Sequence, residues 1–110
     1  KEGRNTMNKQ KREIKVHNDT YTINFVDKND KELVIAGNDS HWGVIRFENR
    51  GIYIRNDLDD QTSKGVIIHE LVHAFAESGG FAQVNWNEEI VADFFEHYFH
   101  DMQAILQTID

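Results

Sequence analysis

Arg55 divides the chain into two parts with different hydrophobic periods, and that change constrains the fold more than any other feature. Upstream, Ile14 and Val16, then Tyr21, Ile23 and Phe25, alternate with polar residues, the pattern of strands with one buried face. His17–Thr20 (HNDT) reads as the hairpin turn between them. A polar stretch, 27–32, leads to the short apolar run Leu33–Ala36, and Gly37 to Ser40 mark a loop. Two further strands, 43–47 and 51–55, are joined by a turn containing Asn49, Arg50 and Gly51. Downstream the period becomes 3.6. A first helix is predicted to start near Asp59–Ser63, where Asp and Ser/Thr can cap it, and to stop at Gly79-Gly80. A second follows from Asn87 to Gln107. Strands first and helices after imply an α+β fold, a small antiparallel sheet of three to four strands with the helices on one face.

At 110 residues the chain supports one domain and no second lobe. Residues 1–12 lack periodicity and are expected to form a flexible basic arm, with a single domain over 13–110. Met7 is the expected natural start, which makes residues 1–6 an expression remnant. Residues 1–16 carry six Lys/Arg against two Glu, yet the whole chain has a net charge of −7. That balance excludes a generic nucleic-acid binder, so the arm reads as a solvated tail. No apolar run is long enough to span a bilayer and no signal-peptide pattern opens the chain, so no membrane contact is expected and a cytoplasmic setting is. The absence of cysteine excludes disulfides, a thiolate nucleophile and Cys-ligated zinc.

The chemistry concentrates in His69-Glu70-Leu71-Val72-His73, an HExxH motif inside the first predicted helix. Residues four apart stand one above the other on a helix, so both imidazoles can reach one metal ion. The Glu between them can hold a water on that metal and take its proton. Ile67, Ile68, Leu71, Val72, Ala74 and Phe75 form the apolar stripe that should face the sheet, and the histidines fall opposite its centre. Glu70 falls on the far flank of His73.

A catalytic zinc needs a third protein ligand. Glu89, Asp93, Glu96 and His100 form the polar stripe of the second helix, opposite Val91, Phe94, Phe95, Tyr98, Met102 and Ile105. In an antiparallel helix pair His73 lies about 8 Å from the end of its helix and Glu89 about 3 Å into the next, at 1.5 Å per residue. Glu89 is therefore the expected third ligand. Asp93, one turn on, is placed to accept a hydrogen bond from the far ring nitrogen of a ligand histidine.

HExxH followed by Glu89-Ile90-Val91-Ala92-Asp93 resembles the zincin metallopeptidases, and specifically the gluzincin branch with its E-x-x-x-D second helix. The metzincin branch would need Gly at 76 and His at 79, where this chain has Ala76 and Gly79. The reversed HxxEH motif is excluded by Asp93 preceding Glu96-His97. Over about residues 51–100 the chain is most similar to minimal ImmA/IrrE-type domains of phage or mobile-element origin, on Glu89, Ala92, Asp93 and Phe95. It departs from them at Val72 and Glu96 and in lacking proline, and a SprT-like protein is the rival.

The resemblance implies a Zn2+-dependent metalloendopeptidase acting on a protein or peptide substrate. His69, His73 and Glu89 would bind the metal, Glu70 would serve as general base, and Asp93 would orient a ligand. It also implies that strand 51–55 lines the cleft and pairs with extended substrate; Arg55 is expected to be a solvent-exposed strand charge, with substrate contact as its other use. His41, Tyr53, His97 and His100 are unranked candidates for stabilising the oxyanion. Trp42 and Trp86 are expected to cap the core, as is the cluster Phe94, Phe95, Tyr98 and Phe99, with a dimer surface as that cluster's other use. His17 has no role in the sequence. The alternative function is a zinc-stabilised, non-catalytic binding or regulatory module of phage or mobile-element origin, for which an intact Glu70 would be superfluous.

Overall fold

A computed structural model describes residues 7–35, 37, 41–81 and 84–109. Four strands, β1 (Arg12–Val16), β2 (Asp19–Val26), β3 (Gly43–Arg46) and β4 (Gly51–Arg55), precede two helices, α1 (Asp60–Gly79) and α2 (Glu88–Gln107). The fold is α+β, as the change of period at Arg55 implies. One turn of 3-10 helix, Lys31–Leu33, occupies part of the region read as an apolar run. No described helix is long and apolar enough to cross a membrane.

The sheet order is β1-β2-β4-β3. β1 with β2 and β3 with β4 are antiparallel hairpins, but β2 and β4 run parallel, Ile23 opposite Ile52 and Phe25 opposite Ile54. The sheet is thus mixed rather than wholly antiparallel. The hairpin β3–β4 presents β4, not β3, to the edge of β2. This corrects the assignment of the substrate-pairing strand. Residues 51–55 are hydrogen-bonded on both sides, and β3 is the edge strand on that side of the sheet.

Ile14, Val16, Tyr21, Ile23, Ile52 and Ile54 bury one face of the sheet against Ile67, Leu71, Ala74 and Phe75 of α1 and Phe94, Met102 and Ile105 of α2. Each Val, Leu, Ile, Phe or Met side chain among them contributes about 1.5–3 kcal/mol when fully buried. Asp59 caps α1 by accepting from the Thr62 amide at 2.7 Å, and Asn87 caps α2 by accepting from Ile90 at 2.9 Å. Gly80 ends α1 at φ 82°, a left-handed conformation that glycine adopts without a Cβ penalty.

The described part of the N-terminal arm is not loose. Met7 is buried and its amide donates to Asp60; Lys9 Nζ donates to the Asn56 and Leu58 carbonyls; Arg12 donates to the Thr108 carbonyl at 2.7 Å. Asn8 adds a backbone bond to Ile109. These long-range bonds seat residues 7–12 on the domain; residues 1–6 lie outside the described residues.

Candidate active site

Helix α1 crosses the sheet over its β3 edge, and this crossing builds the site. Gly43, Ile45 and Phe47 alternate toward the helix, Gly43 lying against Val66 and Glu70 and Phe47 beside His73. A Cβ at Gly43 would run into Val66 Cγ1 and come within 3.4 Å of Glu70 Oε2. The strand passes this close beneath the helix because residue 43 has no side chain.

The crossing buries Glu70, which is 6% exposed, while His69 and His73 remain exposed beside it. The helical spacing places Glu70 on the far flank of His73 and gives no sign of its burial; the β3 edge reaches further around α1 than the apolar stripe shows. Burial pushes the Glu70 carboxyl above the ordinary carboxylate range, opposed by the charge of His69. His73 is held below the ordinary imidazole value, first by the packing around it and then by His69. A buried carboxyl that favours its proton, next to an imidazole that favours neutrality, suits proton transfer and metal ligation respectively.

The two imidazole rings have centroids 5.0 Å apart with their planes at 67°. Two imidazoles on one tetrahedral zinc, with Zn–N near 2.1 Å, place their centroids about 5 Å apart. The pair therefore fits a shared metal. The third expected donor is not with them, since no group of three or more His, Asp or Glu lies close enough to hold a metal among the described residues. Glu89 and Asp93 sit on the exposed side of α2, because the opposite side buries Phe94, Met102 and Ile105. The Asp93 backbone carbonyl accepts from His97 Nδ1 at 2.8 Å. The start of α2 is nonetheless near the site: Trp86, three residues before Glu89, lines a cavity with Phe47, Val72 and His73.

The surface around the motif is a groove. One part, about 450 Å³, is lined by His41, Trp42, Gly43, Val66, His69 and Glu70 among others. A second, about 310 Å³, continues past Ile35, Ile45, Phe47 and His73. Of the four candidates for stabilising an oxyanion, His41 is the one on these walls. Arg46 holds its loop by donating to the Glu32 and Val34 carbonyls at 3.1 and 2.8 Å, and the His41 amide donates to Leu33.

Trp42, 54% exposed, lines the groove rather than capping the core, whereas Trp86 does cap it, edge-on against the buried Phe94, while its outer side lines the cavity beside His73. Arg55 is held by Asp57 in a two-pronged ion pair, 2.9 and 2.7 Å, rather than pointing along the groove. His17, left without a role by sequence, takes a left-handed φ of 57°, bonds Ser78 and packs edge-on against Phe75 and Tyr98. Phe47 and Ile35 were missed as groove residues. Their only signal was an apolar side chain at a strand end and in a loop. Comparison with protein-family models, with curated proteins and with solved structures finds no match to this chain.

Proposed function

We propose that the chain is a zinc-dependent metallopeptidase of gluzincin type that hydrolyses a peptide bond in a protein substrate. The observation that carries the reading is the buried Glu70 carboxyl, pressed against the edge strand and flanked by two imidazoles spaced for one metal. A surface role for HExxH gives no reason to hold a carboxyl there against its desolvation cost.

His69 and His73 would hold the metal, with Glu89 the proposed third ligand and Asp93 its supporting carboxylate. Once bound, zinc supplies a Lewis acid that lowers the pKa of a ligated water to about 7. Glu70, with its raised proton affinity, takes the proton of the attacking water and returns it to the departing amine nitrogen. Among the described residues no further strand pairs with the outer edge of β3, whose backbone N–H and C=O groups would pair with an extended peptide, and Trp42 and Phe47 flank it with apolar surface. The phage or mobile-element ImmA/IrrE-type relationship and a cytoplasmic setting belong to this same proposal.

The test is incubation of the zinc-supplied protein with a proteome-derived peptide library, with new termini read by mass spectrometry. Wild type should generate cleavages that Glu70→Gln, still folded by circular dichroism, does not. Cleavage by both at the same rate, or by neither, would overturn the peptidase reading; zinc uptake without cleavage would leave the non-catalytic module.

A further inference from the structure

The outer side of α2 carries a feature that the metal site does not use. Phe95 and Phe99 are 46% and 48% exposed, Val91 continues their row one turn earlier, and Ile68 of α1 is exposed opposite them. Ile68, Phe95, Phe99, Met102 and Leu106 line a groove of about 250 Å³ between the helices, with Gln103 its one polar wall. From Val91 to Leu106 the row spans about 22 Å at 1.5 Å per residue, the length of a four-turn helix. Exposed apolar side chains at i, i+4 and i+8 are knobs for another helix.

Charge narrows the choice of occupant. Residues 65–110 contain eight Asp/Glu and neither Lys nor Arg; the last basic residue is Lys64. Glu88 sits at the head of the aromatic row, and Glu96 and Glu89 run along its outer flank at helical spacing. A second copy docking α2 on α2 would set this acidic row against itself, and an anionic membrane surface would be repelled. We propose that the groove between α1 and α2 docks an amphipathic helix of a partner protein whose apolar stripe is bordered by Lys or Arg. The apolar contacts supply affinity and the acidic flank supplies selectivity and rapid association. The inference does not depend on the metal site.

The test uses two labelled 18-residue helical peptides with the same leucine stripe, one flanked by Lys/Arg and the other by Glu. Binding to the full chain is followed by fluorescence anisotropy in chelator, at low and high salt. The basic peptide should bind at least about tenfold more tightly than the acidic one at low salt, with an advantage that shrinks as salt screens the flank. Phe95→Ser with Phe99→Ser should weaken it by about tenfold or more, the loss typical of exposed aromatic anchors. Glu88→Gln with Glu96→Gln should reduce the preference for the basic peptide while the protein stays folded. Equal binding of both peptides, or binding unaffected by loss of the phenylalanines, would overturn the proposal. So would concentration-dependent dimerisation that the Phe variant abolishes, since the face would then serve a second copy.

Discussion

Gly43→Ala and Gly65→Ala make the same chemical change at two points of the groove, and the packing assigns them opposite signs. At Gly43 the new methyl meets Val66 Cγ1, lies 3.2 Å from Ile54 Cδ1 and 3.4 Å from Glu70 Oε2. Ile54 is fully buried and cannot retreat, and Val66 is β-branched on a helix with essentially one χ1 well. Gly43 is not among the positive-φ residues, so the penalty is steric alone. Overpacking of this kind costs about 1–3 kcal/mol. At Gly65, inside α1, a Cβ meets nothing within 4 Å. There alanine should stabilise by about 0.5–1 kcal/mol, through helix propensity and a more restricted unfolded chain. The two variants should therefore differ by about 1.5–4 kcal/mol in urea unfolding of the metal-free protein, at unchanged m-value. In thermal melts that is about 4–5 °C per kcal/mol for a domain of this size. If Gly43→Ala unfolds at or above the wild-type midpoint, β3 does not pass beneath α1 as described. If Gly65→Ala falls as far as Gly43→Ala, the asymmetry does not come from packing.

Glu70→Gln should stabilise the metal-free protein at neutral pH and not at pH 4. The folded-state pKa lies above the ordinary value of 4.5, so the folded state holds the Glu70 proton more firmly and wild-type stability is lost as pH rises from about 4.5 through the folded value. Comparing wild type with Glu70→Gln across pH in the presence of chelator isolates that slope from the other carboxylates; parallel pH profiles would show that Glu70 is not desolvated. Asn87→Ala should cost about 1 kcal/mol by leaving the Ile90 amide without its cap, read by urea unfolding. A loss within error would mean that α2 does not start at this residue.

Much of this architecture was legible before any coordinates. Asn87 and the paired glycines Gly79-Gly80 set the start of α2 and the end of α1 to within about a residue, because those signals act over a single turn, and the start of α1 falls inside the Asp59–Ser63 window. The HExxH pair was placed by helical spacing alone. The parallel pairing of β2 with β4 was not legible, since alternation is the same whichever way a neighbouring strand runs. Nor was the burial of Glu70. A helical wheel knows the centre of the apolar stripe but not how far a glycine-bearing edge strand reaches around it. The aromatic row of α2 reads as core, yet only Phe94 and Tyr98 turn inward, Tyr98 against Phe75 of α1 and Phe94 against Phe81 and Tyr98, leaving Phe95 and Phe99 about half exposed. The seating of residues 7–12 depends on bonds spanning about half the chain or more, such as Arg12 to Thr108, which leave no local pattern.

The central claim is that His69 and His73 share one metal, with a third donor from α2. Its most direct test is zinc stoichiometry and affinity of the purified chain, by elemental analysis and competition with a chromophoric chelator, for wild type, His73→Ala and Glu89→Ala. The expected result is about one zinc per chain in the wild type, as for a single mononuclear site, with binding sharply weakened in both variants. Zinc bound equally well by Glu89→Ala would remove α2 from the site. An absence of zinc binding by wild type at supplied micromolar metal would contradict the metal centre itself.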